Sequence, residues 1–219
     1  MQTLEAIEIE TAPQPDAAVI WLHGLGADGH DFEPIVPELR LPPGLKLRFV
    51  FPHAPVCPVT INQGMRMRAW YDIFQFGSGP EDEPGVRSSQ ALVQELIAKE
   101  KKRGVQAQRI VLAGFSQGGA IALQTALRHP ERLAGVLALS TYLPLSAMLE
   151  QEMSATNRDA PIFMAHGQHD EIVPIGRAER SRKVLETLGY AVEWHAYPMP
   201  HSVCPEEVRD IAGFLIRTL

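Results

Sequence analysis

Cysteine is scarce in this 219-residue sequence, which contains only Cys57 and Cys204. Two cysteines so far apart match no metal-binding pattern, and the alternative to free thiols is a single disulfide between them. Such sparse cysteine usage is typical of the reducing cytoplasm, where thiols stay unpaired. We therefore expect a cytoplasmic protein with free thiols.

An excess of basic residues is also absent. Lysine and arginine number 20 against 26 aspartates and glutamates, so the net charge is −6 and the isoelectric point is about 5.8. Nucleic-acid-binding domains are usually basic, and we expect no nucleic acid partner. Long apolar runs are missing too, since a stretch such as 133–139 is far too short to span a bilayer. Residues 1–10 carry acids rather than the basic start of a secretory signal, so no stable membrane anchor is expected.

The apolar residues occur instead in short runs rich in Val, Ile and Leu, which alternate with longer amphipathic segments. Runs that are apolar on both faces are typical of a mainly parallel sheet that is covered by helices on both sides. The alternation predicts an α/β fold and a single domain over residues 1–219. The predicted strands are 6–10, 17–22, 47–51, 109–113, 133–139, 162–165 and 192–196, and the predicted helices are 31–39, 85–103, 117–127, 176–188 and 205–219.

Two long segments, 52–84 and 141–159, interrupt this alternation. Both follow predicted strands at the edge where open α/β sheets bind ligands, and both are unusually apolar for surface loops. We predict that they line a substrate pocket, and that segment 141–159 forms either a lip of this pocket or a homodimer contact. Trp70 has two interpretations, because it either lines the pocket or packs beneath it. The predicted pocket residues are Met65, Trp70, Phe74, Leu143 and Val173.

The residues Gly114 to Gly118 read Gly-Phe-Ser-Gln-Gly and lie between a predicted strand and a predicted helix. A serine in the order Gly-x-Ser-x-Gly at such a turn is the signature of a nucleophile elbow, which raises the hydroxyl above the sheet. Glycine is favoured on both sides because larger side chains there would collide with neighbouring elements. The alternative is an ordinary glycine-rich turn, but we predict that Ser116 is a nucleophile.

A serine hydroxyl needs a base to accept its proton and a carboxylate to orient that base. In elbow enzymes these residues follow in the order serine, acid, histidine, each just after a strand. Asp170 and His201 occupy such positions. Glu171 is an alternative acid. The alternative bases are less well placed, since His169 is too close in sequence to the acid and His195 lies within a predicted strand.

A metal site is a further alternative, because His166, His169 and Asp170 are close together and His23 could complete the set. The spacing matches no strong zinc pattern. A serine nucleophile with an acid and a base needs neither a metal nor an organic cofactor. We therefore expect no cofactor.

Acyl transfer also requires backbone N–H groups that stabilise negative charge on the carbonyl oxygen. One is expected from the residue after the serine, Gln117, at the amino end of its helix. The other is expected from Leu25, in the glycine-rich turn His23–Gly26 that follows the strand 17–22.

Taken together in this order, six segments resemble the phospholipase/carboxylesterase family of α/β-hydrolases, a group of carboxylesterases and acyl-protein thioesterases. The similarity covers nearly the whole chain and implies the α/β-hydrolase fold, and the chain is too short for a large cap domain. The segments are Leu22–Gly29, Phe51–Pro55, Met67–Asp72, Gly114–Ala120, His166–Asp170 with Val173–Pro174, and Tyr197–Val203.

The resemblance implies a catalytic triad of Ser116, Asp170 and His201, with oxyanion amides at Leu25 and Gln117. It implies hydrolysis of carboxylic esters, and some family members cleave thioesters of acylated proteins or act on lysophospholipids. No amphipathic helix with a basic face is evident, so we favour a carboxylesterase for small to medium acyl esters, acting through an acyl-enzyme. The alternative is an acyl-protein thioesterase or lysophospholipase, whose partner would be an acylated protein or a lysophospholipid. A noncatalytic α/β-hydrolase that binds a ligand is a more remote alternative.

Overall fold

A central β-sheet organises the computed structural model, which describes residues 4–75 and 79–219. Its strands are β1 (Ala6–Glu10), β2 (Ala17–Leu22), β3 (Leu47–Pro52), β4 (Val56–Val59), β5 (Met65–Arg68), β6 (Ile110–Phe115), β7 (Gly135–Leu139), β8 (Ile162–Gly167) and β9 (Val192–Tyr197). In these residues, seven strands form the sheet in the order β1-β3-β2-β6-β7-β8-β9. Strand β1 is antiparallel to β3 and the other neighbours are parallel, which confirms the mainly parallel sheet.

The helices are α1 (Ile35–Glu38), α2 (Glu83–Lys102), α3 (Gln117–Arg128), α4 (Leu149–Glu152), α5 (Ile175–Thr187) and α6 (Pro205–Thr218). They cover both faces of the sheet because successive strand residues point to opposite sides. The even-numbered residues of β2 belong to a core cluster that includes residues of α2, α3 and α5, whereas its odd-numbered residues belong to one that includes residues of α1 and α6. Burial of each large side chain in these layers contributes about 1.5–3 kcal/mol. The fold is that of an α/β-hydrolase, and the described residues include no separate large cap.

Asp82 fixes the point at which segment 52–84 joins helix α2. One carboxylate oxygen accepts from the Gly85 N–H at 3.1 Å and caps the helix. The other accepts from the Asp72 N–H at 2.8 Å. The same side chain therefore starts the helix and holds the preceding segment against it.

Two predictions of local structure are wrong. The helix predicted over 31–39 is restricted to Ile35–Glu38, because Pro34 and Pro37 have no N–H to donate within it. Segment 52–84 is not an irregular loop throughout, since β4 and β5 pair as an antiparallel hairpin. The hairpin turn includes Gln63 and Gly64, whose φ angles are +58° and +75°. Glycine adopts a positive φ without strain, which suits Gly64 to its place in the turn.

Segment 141–159 packs against its own chain. Leu143, Leu145 and Leu149 are all buried in the core cluster that includes α2 and α3. These three side chains are therefore core residues, and a pocket lip or homodimer contact formed by the rest of the segment stays a prediction. The apolar character of the three leucines serves the core of the chain itself.

Candidate active site

Ser116 lies at a sharp turn between β6 and α3, with φ +54° and ψ −120°. Such a backbone conformation is strained for a residue with a side chain. Close packing holds the turn, because a Cβ atom on Gly118 would overlap the Leu22 carbonyl oxygen and one on Gly114 would overlap Gly118. Only glycine fits at these two positions, which gives the Gly-x-Ser-x-Gly pattern its physical basis.

Asp170 and His201 meet beyond the carboxyl ends of β8 and β9. The His201 Nδ1–H donates to Asp170 Oδ2 at 2.6 Å. The other oxygen of this buried carboxylate accepts from the N–H groups of Ile172 at 2.9 Å and Val173 at 2.8 Å. Because Nδ1 carries the proton, the lone pair of the neutral imidazole lies on Nε2, the atom that a general base presents to a hydroxyl.

A cavity of about 270 Å³ lies beside these residues. Ser116 and His201 both line it, and so do Leu25 and Gln117. In the described part of the chain, the backbone N–H groups of Leu25 and Gln117 donate to no other group. They are free to bind an oxygen atom, and the one at Gln117 also lies at the positive end of the α3 dipole. The lining includes two of the predicted pocket residues, Phe74 and Val173.

Three other predicted pocket residues are not among the described residues that line the cavity. Met65 lies on the β4–β5 hairpin, where its side chain is 65% exposed. Trp70 is buried, and its indole N–H donates to the His23 carbonyl oxygen at 2.9 Å, so it packs outside the cavity. Leu143 is buried in the core. Apolar character alone does not distinguish a cavity wall from a core position.

Several side chains at the site have no specific role in the sequence analysis. The Phe115 ring packs against the His201 imidazole, with 4.7 Å between centroids. The hydroxyls of Tyr71 and Tyr142 are hydrogen-bonded at 2.7 Å, and the Arg177 guanidinium lies 3.3 Å from the centroid of the Tyr142 ring. Burial raises the pKa of both phenols, so they stay protonated at neutral pH. Phe115 could have been found from its place beside the elbow serine, but no local pattern indicates that Tyr142 and Arg177 share one wall.

The alternative acid and bases lie away from the cavity. Glu171 and His169 have exposed side chains. His195, on β9, is hydrogen-bonded to Glu193 at 3.0 Å. None of these residues is among the described residues that line the cavity.

Two of the three histidines considered for a metal site, His166 and His23, are hydrogen-bonded to backbone groups, and the third, His169, is exposed. His166 donates from Nε2 to the Val173 carbonyl oxygen at 2.7 Å. His23 donates from Nδ1 to the Gly24 carbonyl oxygen at 2.7 Å, and its Nε2 accepts from the Ala54 N–H at 3.0 Å. Burial lowers the pKa of both imidazoles, so both are neutral at neutral pH. Over residues 4–75 and 79–219, no group of three or more histidine, cysteine, aspartate or glutamate side chains could hold a metal ion.

Comparison with known proteins identifies the family. The model of the phospholipase/carboxylesterase family matches residues 4–219. The chain belongs to the phospholipase/carboxylesterase family. It is therefore an enzyme of the carboxylic ester hydrolase class, and its α/β-hydrolase fold is that expected from the resemblance.

Relatives of this phospholipase/carboxylesterase family member include thioesterases. Acyl-protein thioesterase 1 of Gibberella zeae is 41% identical over 218 residues, which cover 95% of this chain and 93% of the relative. Acyl-protein thioesterase 1 of Neurospora crassa is 42% identical over 213 residues, which cover 93% of this chain and 87% of the relative. The crystal structure of Zea mays acyl-protein thioesterase 2 is similar with a TM-score of 0.87, at 26% identity and over 98% of both chains.

Two further observations concern the cysteines and the helices. Both Cys57 and Cys204 are free thiols. Among the described residues, no helix is both long enough and apolar enough to cross a membrane.

Proposed function

We propose that this family member hydrolyses the thioesters of fatty-acylated proteins through a triad of Ser116, His201 and Asp170. The observation that carries the proposal is the 2.6 Å hydrogen bond between Asp170 and His201, beside a cavity that His201 and Ser116 both line. The substrate class is supported by the two relatives named acyl-protein thioesterase 1, which are 41% and 42% identical to this chain. These relatives favour the thioesterase over the small-ester carboxylesterase that the sequence alone favoured.

The first half of the reaction forms an acyl-enzyme. The Ser116 hydroxyl attacks the thioester carbonyl carbon while His201 Nε2 accepts its proton. The Asp170 carboxylate stabilises the imidazolium through the short hydrogen bond to Nδ1. The oxyanion of the tetrahedral intermediate accepts hydrogen bonds from the backbone N–H groups of Leu25 and Gln117, each of which lowers the barrier by about 3 kcal/mol. Collapse of the tetrahedral intermediate completes this acyl-enzyme: the carbon–sulfur bond breaks, and the departing thiolate of the protein substrate takes the proton from His201.

The second half of the reaction releases the acyl chain. Water gives a proton to His201 and attacks the acyl-serine carbonyl, and His201 then returns that proton to the Ser116 oxygen as the fatty acid leaves. Side chains and backbone amides of this chain supply every group that these steps require.

The cavity limits how much of the acyl chain is enclosed. Apolar side chains on its wall provide a surface for hydrocarbon: Ile73, Phe74, Ile172 and Val173. A cavity of about 150 Å³ holds one benzene molecule, so a volume of about 270 Å³ encloses roughly ten carbon atoms. Each enclosed methylene contributes about 0.8 kcal/mol to binding. We therefore expect kcat/KM to rise with chain length up to about decanoyl and to level off beyond it.

The proposed partners are acylated proteins, and the proposed location is the cytoplasm. The two free thiols support a reducing compartment. Protein substrates present the acyl group on a cysteine side chain, so the carbonyl must reach Ser116 through the open side of the cavity.

The substitution Ser116→Ala tests the triad. Loss of an elbow serine removes the nucleophile, and removal of a triad serine lowers kcat by about 10⁶-fold in a well-studied hydrolase. We expect no measurable turnover of a chromogenic thioester and no labelling by a fluorophosphonate probe, with an unchanged circular dichroism spectrum. Ser202→Ala, one residue after His201, is the matched control and should retain activity. Turnover by Ser116→Ala would reject the mechanism, and unlabelled wild-type protein would favour the noncatalytic alternative.

A matched pair of substrates tests the thioester preference. The S-octanoyl thioester of N-acetylcysteamine and the O-octanoyl ester of N-acetylethanolamine differ only in the atom that leaves. We expect a higher kcat/KM for the thioester after each value is divided by the rate of hydroxide-catalysed hydrolysis. A preference for the oxygen ester, with an optimum at acetyl or butanoyl, would instead support the small-ester carboxylesterase.

A further inference from the structure

We infer that Trp70 is a positioning residue that sets the separation of the two proposed oxyanion donors, the backbone N–H groups of Leu25 and Gln117. The inference rests on the proposed function, because Trp70 acts through these two amides and does not touch the substrate. Trp70 is 3% exposed and lies outside the cavity. It is hydrogen-bonded to both of the segments that carry the donors.

The indole side chain is linked to the segment of Leu25. Trp70 Nε1–H donates to the His23 carbonyl oxygen at 2.9 Å, and the indole packs against the His23 ring with 5.4 Å between centroids. His23 Nδ1–H in turn donates to the Gly24 carbonyl oxygen at 2.7 Å. In a trans peptide the C=O and the following N–H point in opposite directions. The bond that holds the Gly24 carbonyl therefore also directs the Leu25 N–H away from His23.

The backbone of Trp70 is linked to the other donor. Trp70 N–H donates to Gln117 Oε1 at 2.9 Å, and Gln117 Nε2 donates to the Tyr71 carbonyl oxygen at 2.7 Å. Both ends of this buried carboxamide are thus bound to consecutive residues of one segment. Gln117 is the first residue of α3, so fixing its side chain also fixes the start of the helix and its backbone N–H.

A third contact anchors Trp70 itself. The Ser89 hydroxyl of α2 donates to the Trp70 carbonyl oxygen. Trp70 is therefore held between the end of β2, the start of α3 and the side of α2. An oxyanion hole needs both donors within about 2.7–3.1 Å of the same oxygen atom. Residues 25 and 117 are distant in sequence. The hydrogen bonds of Trp70 link the two segments that carry these residues, and so set the distance between their N–H groups.

The experiment compares Trp70→Phe with a matched control, Trp21→Phe. Both variants replace a buried indole by a smaller ring and remove one indole N–H. The Trp70 N–H is bonded to His23, whereas the Trp21 N–H has no hydrogen-bond partner in the described residues. A difference between the two variants therefore reports the hydrogen bond rather than the lost volume.

Steady-state kinetics on the octanoyl thioester gives the first readout. Misplacement of a catalytic group by about 1 Å lowers rates by up to about a hundredfold. We expect Trp70→Phe to lower kcat by about tenfold to a hundredfold and to leave KM within about twofold. Affinity for a trifluoromethyl ketone, which forms a tetrahedral adduct with the serine, should fall by the same factor as kcat. Affinity for octanoate should stay unchanged, and Trp21→Phe should retain wild-type kcat.

A second variant keeps the inference testable if Trp70→Phe does not fold. Gln117→Met removes the carboxamide that binds residues 70 and 71 but leaves the backbone N–H of residue 117 in place. We expect the same pattern, with a lower kcat, a weaker trifluoromethyl ketone complex and an unchanged KM. Equal losses in Trp70→Phe and Trp21→Phe, or a loss confined to KM, would overturn the inference. If Ser116→Ala keeps its turnover, the proposed function fails instead, so the two failures are distinct.

Discussion

Segments 52–84 and 141–159 both interrupt the alternation of strands and helices, yet they differ in their relation to the cavity. Residues 71–75 and 79–81 of the first segment line the cavity. Of the second segment, which is described throughout, Tyr142 alone lines it. The first segment therefore shapes the cavity, and the second supports the structure around it.

The two segments are also held in different ways. In segment 52–84, polar contacts hold the part that lines the cavity, such as those of Asp72, which accepts from the Thr60 N–H at 2.7 Å and from its hydroxyl at 2.5 Å. Segment 141–159 is fixed largely by buried apolar side chains, with Leu149 completely buried. In the first segment, hydrogen bonds fix the backbone and leave cavity-lining side chains accessible to substrate. In the second segment, the leucine side chains are themselves buried in the core and are not accessible to substrate. We expect substitutions in the first segment to alter substrate selection and those in the second to alter stability.

Leu149→Ala should have the largest effect on the free energy of unfolding. Removal of a fully buried leucine side chain from a packed core destabilises a protein by about 2–5 kcal/mol. Urea unfolding monitored by circular dichroism measures this loss. The ratio of kcat/KM for octanoyl and butanoyl thioesters should stay at the wild-type value. A changed ratio in a folded variant would contradict the division between the two segments.

Phe74→Ala is the corresponding test in the first segment. The side chain lines the cavity and is 41% exposed, so its removal should change the free energy of unfolding by about 0.5 kcal/mol or less. Loss of apolar contact with the acyl chain should lower kcat/KM for the octanoyl thioester by about tenfold relative to the butanoyl thioester. An unchanged ratio would place the acyl chain elsewhere, and a large loss of stability would show that Phe74 supports the fold.

Asp72→Asn tests the polar anchoring of the first segment. Asparagine has a single side-chain oxygen and no charge, so it cannot accept from both Thr60 groups as the carboxylate does. We expect a loss of about 1 kcal/mol in the free energy of unfolding. Thr60→Val removes only the hydroxyl bond, and the double variant should show a coupling of about 0.5 kcal/mol or more. Additive effects would mean that the two side chains do not interact in solution.

The sequence predicts those features that depend on local pattern. The bounds of β1 and β2 agree with the predicted strands at 6–10 and 17–22, since apolar patterning reports which residues are covered. Ser116 and His201 share a cavity because each follows a parallel strand, and parallel strands end at one edge of the sheet. This part of the candidate site follows from the order of motifs along the chain.

The pocket wall depends on contacts between distant residues, and the sequence predicts it poorly. The apolar character of Met65 and Leu143 indicates burial or contact but not its location, and of the two interpretations of Trp70 the structure shows packing outside the cavity. Trp70 donates hydrogen bonds to His23 and Gln117, each 47 residues away in the sequence. No periodic pattern encodes such partners, so the wall becomes evident only when the segments are packed.

The ion pairs of segment 141–159 should contribute less to stability than its buried leucines. Glu152 lies 2.6 Å from both Arg87 and Arg128, and its hydrogen bond with Arg87, together with that from Arg128, lowers the pKa of the carboxyl below its usual 4.5. A carboxyl whose pKa is lower in the folded state stabilises the fold above its unfolded pKa, and this contribution is lost as the pH falls through the folded value.

Glu152→Gln should therefore be less stable than the wild type at neutral pH, and the difference should vanish in acid. The side chain is 29% exposed, so we expect no more than about 1 kcal/mol. Urea unfolding at several pH values between about 7 and 3 measures the difference. The loss in Leu149→Ala, from the same short helix, should be independent of pH because it comes from apolar burial. A Glu152→Gln difference that persists in acid would mean that this residue, like Leu149, acts through packing rather than through charge.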